Sequence, residues 1–552
     1  MELIRSACRR MLAPVAFCAL SALPAAAQTP VLPVVSPCAR PAAGSVVEEP
    51  PSLTSVQGVL SARFSYQHAF DASGRELFCF MTPDGLQNPT LHVRPGDHLI
   101  LVVTNNLPVG SSPIVLNAPN CGATVMNSTS VNIDYHGTDV SPTCHQDEVI
   151  KTVVNAGQTF QYDVVFPTTE PPGLYFYHPH IPGMAERAVQ GGATGAIVVD
   201  GIQGLQPNIG FLPQRILMVR DQPVPGRLAP GGNIPSWDLT LNYVPVTSPT
   251  RASSNDFVPA FLQMRNNTSE LWSIANAAAD TVLDLEYVFD GVPQPLQIVA
   301  IDGVAVNTQD GAVQGAPIPA THFLMSPASR VQAIVPAPPT TVRTAQLITL
   351  AVNTGPGGDN DPQRPLATVR IGGVQNAGFA AASAGAPAQS ASVGRSAVRK
   401  AALVTVHRTL FFDEIESSGR FFMAVEGRPE HVFDPNAPPD IITTRNTVEE
   451  WTVQNRTQEV HEFHLSQRHF LVESQNNFEV NGSPQQTVLT GQFLDTIQVP
   501  HWDGNPTHPF PSVTLRIDFG GSDVVGDFLF HCHILEHADR GMMNIIRVRD
   551  DD

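Results

Sequence analysis

The 552-residue chain sets 31 Lys and Arg against 50 Asp and Glu, a net charge of −19, with no basic run after its N-terminus. Nucleic acid and anionic membranes are therefore poor partners, metal cations and cationic donors are compatible ones, and the acidity also serves simply to keep an exported protein soluble. Its 50 prolines, 41 glycines and 15% charged residues, with short apolar runs between turn signals, argue against a helical protein and for sandwiches or barrels of β-strands in three or four domains.

The N-terminus carries Arg5, Arg9 and Arg10, then an apolar run, then Ala25-Ala26-Ala27. That order predicts a secretory signal peptide over residues 1–27, and hence a periplasmic or secreted protein. The apolar run is short and broken by prolines, so no membrane span is expected. Cys8 and Cys18 leave with the signal. In an oxidising compartment Cys38, Cys79, Cys121 and Cys144 are expected to form two disulfides, with three connectivities open.

Along the mature chain, LILVVTNN ending at Asn105, ELWSIANA around Asn276 and EEWTVQNR around Asn455 repeat one pattern. Each is an alternating strand closing on asparagine, with Leu101, Trp272 or Trp451 four residues earlier. The repetition predicts three copies of one domain. In VNIDYHGTDV, Asp134 and His136 share one strand face by their spacing of two. GLYFYHPH (173–180) and GDFLFHCH (526–533) share a glycine, two aromatics and a His-x-His pair, whereas the segment 202–375 between these two copies has one histidine, His322, and no pair. The expected division is 28–201, 202–375 as a spacer without metal ligands, an Ala/Gly/Ser-rich linker over 376–398, and 399–552.

HCHILEHADRGMM is the most informative stretch. His531 and His533 face one way on their strand and Cys532 the other, with His537 and Met542 following. In HEFHLSQRHF, His461 lies opposite in parity to His464 and Ser466, so it can join Cys532 while His464 joins the other pair. A thiolate, two imidazoles and a weak thioether form a blue-copper electron-transfer site. His145, His469, His501 and His508 fall outside the ligand spacings and read as surface residues or supports of a ligand.

With YHPHIPG (177–183), HEFHLSQRHFLV (461–472), the HG at 136–137 and the C-terminal motif, the chain resembles the three-domain, laccase-like multicopper oxidases over nearly all of its mature length. The resemblance implies an all-β fold of three cupredoxin-like Greek-key sandwiches. It implies up to four copper ions: a type 1 copper on His461, Cys532, His537 and Met542, and a trinuclear cluster on His136, His178, His180, His464, His531 and His533. A small phenolic, aromatic or metal-ion donor would give single electrons at the type 1 site, and they would pass through Cys532 to the cluster, where dioxygen becomes water. Asp147 and Glu536 match proton-relay positions, or else orient a ligand histidine. A monomer is expected.

Two of the eight expected cluster histidines are replaced. Asp134 stands at a type 2 ligand position, where carboxylate suits harder ions than copper, and Ser466 at a type 3 position, where a hydroxyl is a feeble ligand. An impaired cluster follows. The alternative is an electron carrier or copper-handling protein that uses the type 1 site alone.

Overall fold

Strand periodicity governs the architecture. In His98–Asn105 the alternate residues Leu99, Leu101 and Val103 are wholly buried while His98 is exposed, the alternation of a sheet with one face on a core. The computed structural model describes residues 37–108, 121, 126–223, 230–246, 257–307, 316–372, 403–415, 418–477 and 489–550. The expected signal peptide and linker lie outside these residues. Among them no helix is long and apolar enough to cross a membrane.

The strands form three pairs of sheets. The first pair is a five-stranded sheet holding Asp134–His136 and Gly173–His178, against a four-stranded one holding His98–Asn105. The second pair spans Gln214–Ile371 in sheets of eight and six strands, and the third spans Val406–Arg549 in sheets of six and five. This is the cupredoxin-like, all-β architecture that the sequence predicts. One core fills the first sandwich around Leu101, Ile133 and Tyr177. A second runs through the other two, around Trp272, Trp451 and Phe463.

The repeated asparagine has a definite job. Asn105 Nδ2 donates to Thr129 O and Val154 O at 2.7 and 2.8 Å. Asn276 Nδ2 donates to Thr281 O and Met325 O, both at 2.9 Å, and Asn455 Nδ2 to Glu459 O and Val499 O at 2.7 and 3.2 Å. In each copy the Oδ1 accepts the backbone N–H two residues on. The side chain thus ends the strand, closes the turn and ties it to the facing sheet, satisfying backbone groups that would otherwise be buried unpaired.

The disulfides are Cys38–Cys79 and Cys121–Cys144, which settles the connectivity; Cys532 is free and buried.

Candidate metal centre

Register brings the ligand strands together. Asp134 pairs directly with His178 across one antiparallel ladder, and His464 pairs with His531 across another. Cys532 ends its strand, and Leu535–Asp539 forms a short helix that returns His537 toward it.

At the first site the ligand atoms of His461, Cys532 and His537 converge within 4.8 Å of one another. Cys532 Sγ lies 3.8 Å from His461 Nδ1 and 3.7 Å from His537 Nδ1, and the two nitrogens are 3.1 Å apart. Metal–nitrogen and metal–sulfur distances of about 2.0 and 2.3 Å place two ligands of one ion roughly 3.3–3.7 Å apart. The residues therefore fit a copper ion. Each imidazole is oriented from behind, His461 by Thr457 Oγ1 at 2.9 Å and His537 by Glu459 Oε1 at 3.1 Å on their Nε2 atoms. Such contacts fix which nitrogen faces the metal. Phe421 stacks on His537 at 4.5 Å and Phe412 covers His461 at 5.0 Å. The Glu462 N–H donates to Cys532 Sγ at 3.5 Å. Met542 is fully buried, and its backbone bonds both Cys532 N and His537 O.

The second site is a cage of six buried histidines. His136 stacks on His464 at 4.1 Å and meets His533 at 4.7 Å, His178 meets His533 at 5.2 Å, and His180 meets His531 at 5.0 Å. His136, His178 and His533 form one group with ligand atoms mutually within 4.8 Å. His180 Nε2 and His531 Nε2 face each other at 3.4 Å, the spacing of two ligands on one ion. Three rings are held by their Nδ1 atoms: His178 by Pro179 O, His464 by Asp495 O, and His531 by Cys532 O, at 2.9, 2.9 and 2.8 Å. The buried Nε2 atoms of His178 and His464 and both ring nitrogens of His136 and His533 have no hydrogen-bond partner. Buried polar atoms left unpaired are costly, and a bound metal relieves that cost. Burial, then neighbouring histidines, hold His136, His461, His531 and His533 well below the ordinary histidine range, and His464 is lowered to about 3. The rings are thus neutral, as ligands must be. His537 is the exception. Burial opposes its proton, but the hydrogen bonds to Cys532 and Glu459 outweigh burial and raise it.

Asp134 is buried beside the cage, with Oδ2 at 3.3 Å from His178 Nε2. Burial pushes its carboxyl up, but the contact with His178, with His180 and His136 nearby, holds it well below the usual carboxylate range. It stays outside the three groups of converging ligand atoms, the third of which is His136, His464 and Asp495. Ser466 is buried in the following turn, its N–H donating to Leu529 O at 3.1 Å.

Asp147 is buried, accepting from Tyr135 N at 3.0 Å and from Gln467 Nε2 at 2.6 Å. Burial first, then the charge of Asp134, raise it well above the usual range. Glu536 sits elsewhere. It pairs with Arg540 one helical turn on, and burial with the charges of Asp359 and Glu459 raises it. His145 and His508 are exposed, whereas His469 is buried and reaches Asp302 O at 2.8 Å. His322 pairs with Asp284 in the middle sandwich, which contributes to none of the three groups found among the described residues.

Sequence reasoning misses Thr457, Glu459, Asp495 and Arg330. The first two lie on the turn that the Asn455 repeat closes, where a polar residue reads as turn chemistry. The last two come together only across sandwiches, so no spacing signals them.

Comparison with known proteins bears on the same regions. Residues 413–552 and 112–203 match two family models, each described as multicopper oxidase. A multicopper oxidase from Staphylococcus epidermidis is 30% identical over 134 residues, 22% of this chain and 26% of that protein. One from Staphylococcus aureus is 31% identical over 120 residues, 21% of this chain and 23% of that protein. These alignments span about a quarter of the curated relatives' length. Among solved structures, a Campylobacter jejuni multicopper oxidase described as a metallo-oxidase matches with a TM-score of 0.63 at 19% identity, over 93% of this chain and 96% of that one. McoA from Aquifex aeolicus matches at 0.64 and 16%, over 92% and 99%. A laccase-like oxidase from Ochrobactrum sp., described as active towards lignin model compounds and lignosulfonate, matches at 0.60 and 18%, over 91% and 100%. At such identities these structures speak to the fold.

Proposed function

We propose that this chain, a member of the multicopper oxidase family, is a copper-dependent oxidoreductase that takes single electrons at Cys532 and delivers them to dioxygen at the histidine cage. The observation that carries the reading is connectivity: Cys532 belongs to the three-ligand group, and its chain neighbours His531 and His533 belong to the cage. Copper in the two sites supplies the one-electron chemistry. The protein's part is to orient the imidazoles, to bury them from water, to hold the lowered cage rings neutral, and to keep the buried Asp147 carboxyl, raised above its usual range, beside the cage, which makes Asp147 the stronger relay candidate and leaves Glu536 a partner of Arg540.

His537 itself is buried, so a donor would approach over Glu459, the partly exposed carboxylate behind it. Glu459 contacts that imidazole at 3.1 Å, and Glu459, Asp359 and Glu536 act on one another electrostatically. Acid around the entry point favours a cationic donor, such as a reduced metal ion, over an anionic one.

Asp134 and Ser466 leave the cage two imidazoles short of the family pattern. This supports an impaired cluster and favours, as a second reading, a carrier that uses the Cys532 site alone. Copper counting with dioxygen uptake separates the two. Several coppers per chain with uptake supports the oxidase; one copper and a blue colour without uptake supports the carrier. In Asp134→His/Ser466→His, copper content and oxygen consumption should rise together. If they do not, the two replacements are not the defect.

A further inference from the structure

Arg330 lies in the middle sandwich, on the strand Arg330–Pro336, and its side chain is fully buried. Its guanidinium reaches all three sandwiches. Nη1 donates to Ala328 O at 3.0 Å, Nε to Leu174 O at 3.3 Å on the strand that carries His178, and Nη1 to Asp495 Oδ1 at 2.8 Å, with Nη2 on Asp495 Oδ2. Asp302 stands 3.7 Å from Nη1 and accepts the Arg330 N–H at 2.9 Å. The HG turn makes room: a Cβ on Gly137, at φ +81°, would overlap Arg330 Nη2 and Asp495 Oδ2.

Asp495 faces the cage. Oδ1 is 3.5 Å from His136 Nε2, and the backbone carbonyl accepts from His464 Nδ1 at 2.9 Å. Thr496 Oγ1 donates to Oδ1 at 2.7 Å, and Oδ2 is 3.5 Å from His469 Nε2. Although its oxygen lies near His136 and His464, this carboxylate is already taken up by the two-pronged guanidinium and the Thr496 hydroxyl, so it is a poor metal ligand and a good fixed support. A buried ion pair is weak evidence for stability, because apolar residues of equal volume often serve as well. What an arginine fork adds is geometry.

We propose that Arg330 is a positioning residue of the cage. Through its grip on Asp495 it fixes the carbonyl that orients His464 and the carboxylate edge against which His136 rests. The middle sandwich, which supplies none of the three ligand groups among the described residues, thereby acts on the cluster. This rests on the copper reading of the six histidines.

The test compares the copper-loaded wild type with Arg330→Lys, which keeps the charge but loses the fork, and Asp495→Asn, which keeps the shape but loses the charge. Both are near-isosteric, and circular dichroism with thermal melting checks that they fold. The expected result is an undiminished blue band from the Cys532 site in both. Copper beyond that site should be lost to a chelator about tenfold faster, the scale of changes behind a ligand. The electron paramagnetic resonance spectrum of the non-blue copper should shift. Cage copper retained at the wild-type rate with an unchanged spectrum overturns the proposal. So does parallel loss of blue and cage copper, the mark of a general stabiliser. A wild type that takes up copper at Cys532 alone overturns the reading of the cage, and the positioning role with it, an outcome distinct from the other two.

Discussion

Glu459 shows how a single side chain sets the chemistry at the entry site. It holds His537 Nε2 at 3.1 Å and is the carboxylate in contact with that imidazole. Glu459→Gln keeps a hydrogen-bonding group but removes the charge. kcat/KM for a cationic metal donor should fall about tenfold, or ~1.4 kcal/mol, with a much smaller change for a neutral phenol. Equal losses for both donors would show that Glu459 orients His537 without attracting the donor. At this scale the histidine pairs and Cys532 were legible, because strand parity alone puts alternate residues on one face. Glu459 was not: Glu at a turn is unremarkable until a returning helix brings His537 to it. Asp134 stood out in the sequence by its spacing of two from His136, but its placement against His178 Nε2 and outside the converging groups required the register.

The elements around the cage are joined across sandwiches by their ends. The helix Ala185–Gln190 follows the HPHIPG stretch and has no capping side chain of its own at Met184. Asp539, from the last turn after the HCH motif, accepts from Gly183 N at 2.9 Å, Ala185 N at 3.3 Å and Glu186 N at 2.9 Å, doing the work of a cap from another sandwich. In return, the Leu535–Asp539 helix starts on the middle sandwich, with Leu535 N on Ala279 O and Glu536 N on Asp280 Oδ1, both at 2.9 Å. Asp539→Ala leaves three N–H groups without their acceptor and should cost about 2 kcal/mol. Thermal melting measures that cost, and it should come with faster loss of cage copper, since the capped helix follows His178 and His180. Unchanged melting would mean that water replaces the carboxylate. Strand existence was readable from alternation and the asparagine repeat. The direction of Glu536 was not, because its position in the motif is fixed by spacing while its partner, Arg540, is fixed by the helical turn.

At the scale of the whole molecule, the three sandwiches are laced by segments that no motif marks. The segment before the first sandwich runs onto the middle one: Val47 N donates to Phe261 O at 2.8 Å, and Glu49 Oε2 accepts from Ile216 N at 3.0 Å while Oε1 lies 3.6 Å from Arg215. The repeat made three copies legible, since each carries the same strand and asparagine. How the copies dock was not, because docking depends on charges such as half-buried Glu49 and buried Arg330, whose partners across sandwiches, Arg215 and Asp495, lie more than a hundred residues away. Glu49 gives that docking a pH signature. Burial raises its carboxyl from 4.5 to about 7, against the pull of Arg215. A carboxyl raised in the folded state binds more protons there than in the unfolded chain between pH 4.5 and about 7, so its contribution to stability declines as pH rises through that window. Gln in its place keeps the shape and does not titrate. The stability of Glu49→Gln relative to wild type, read from urea midpoints of the copper-free, disulfide-intact proteins, should therefore increase from about pH 4.5 to about pH 7 and level off above it. A difference that is flat, or that shrinks as pH rises, would mean that Arg215 keeps Glu49 ionised throughout and that this junction is held by a charge pair from the start.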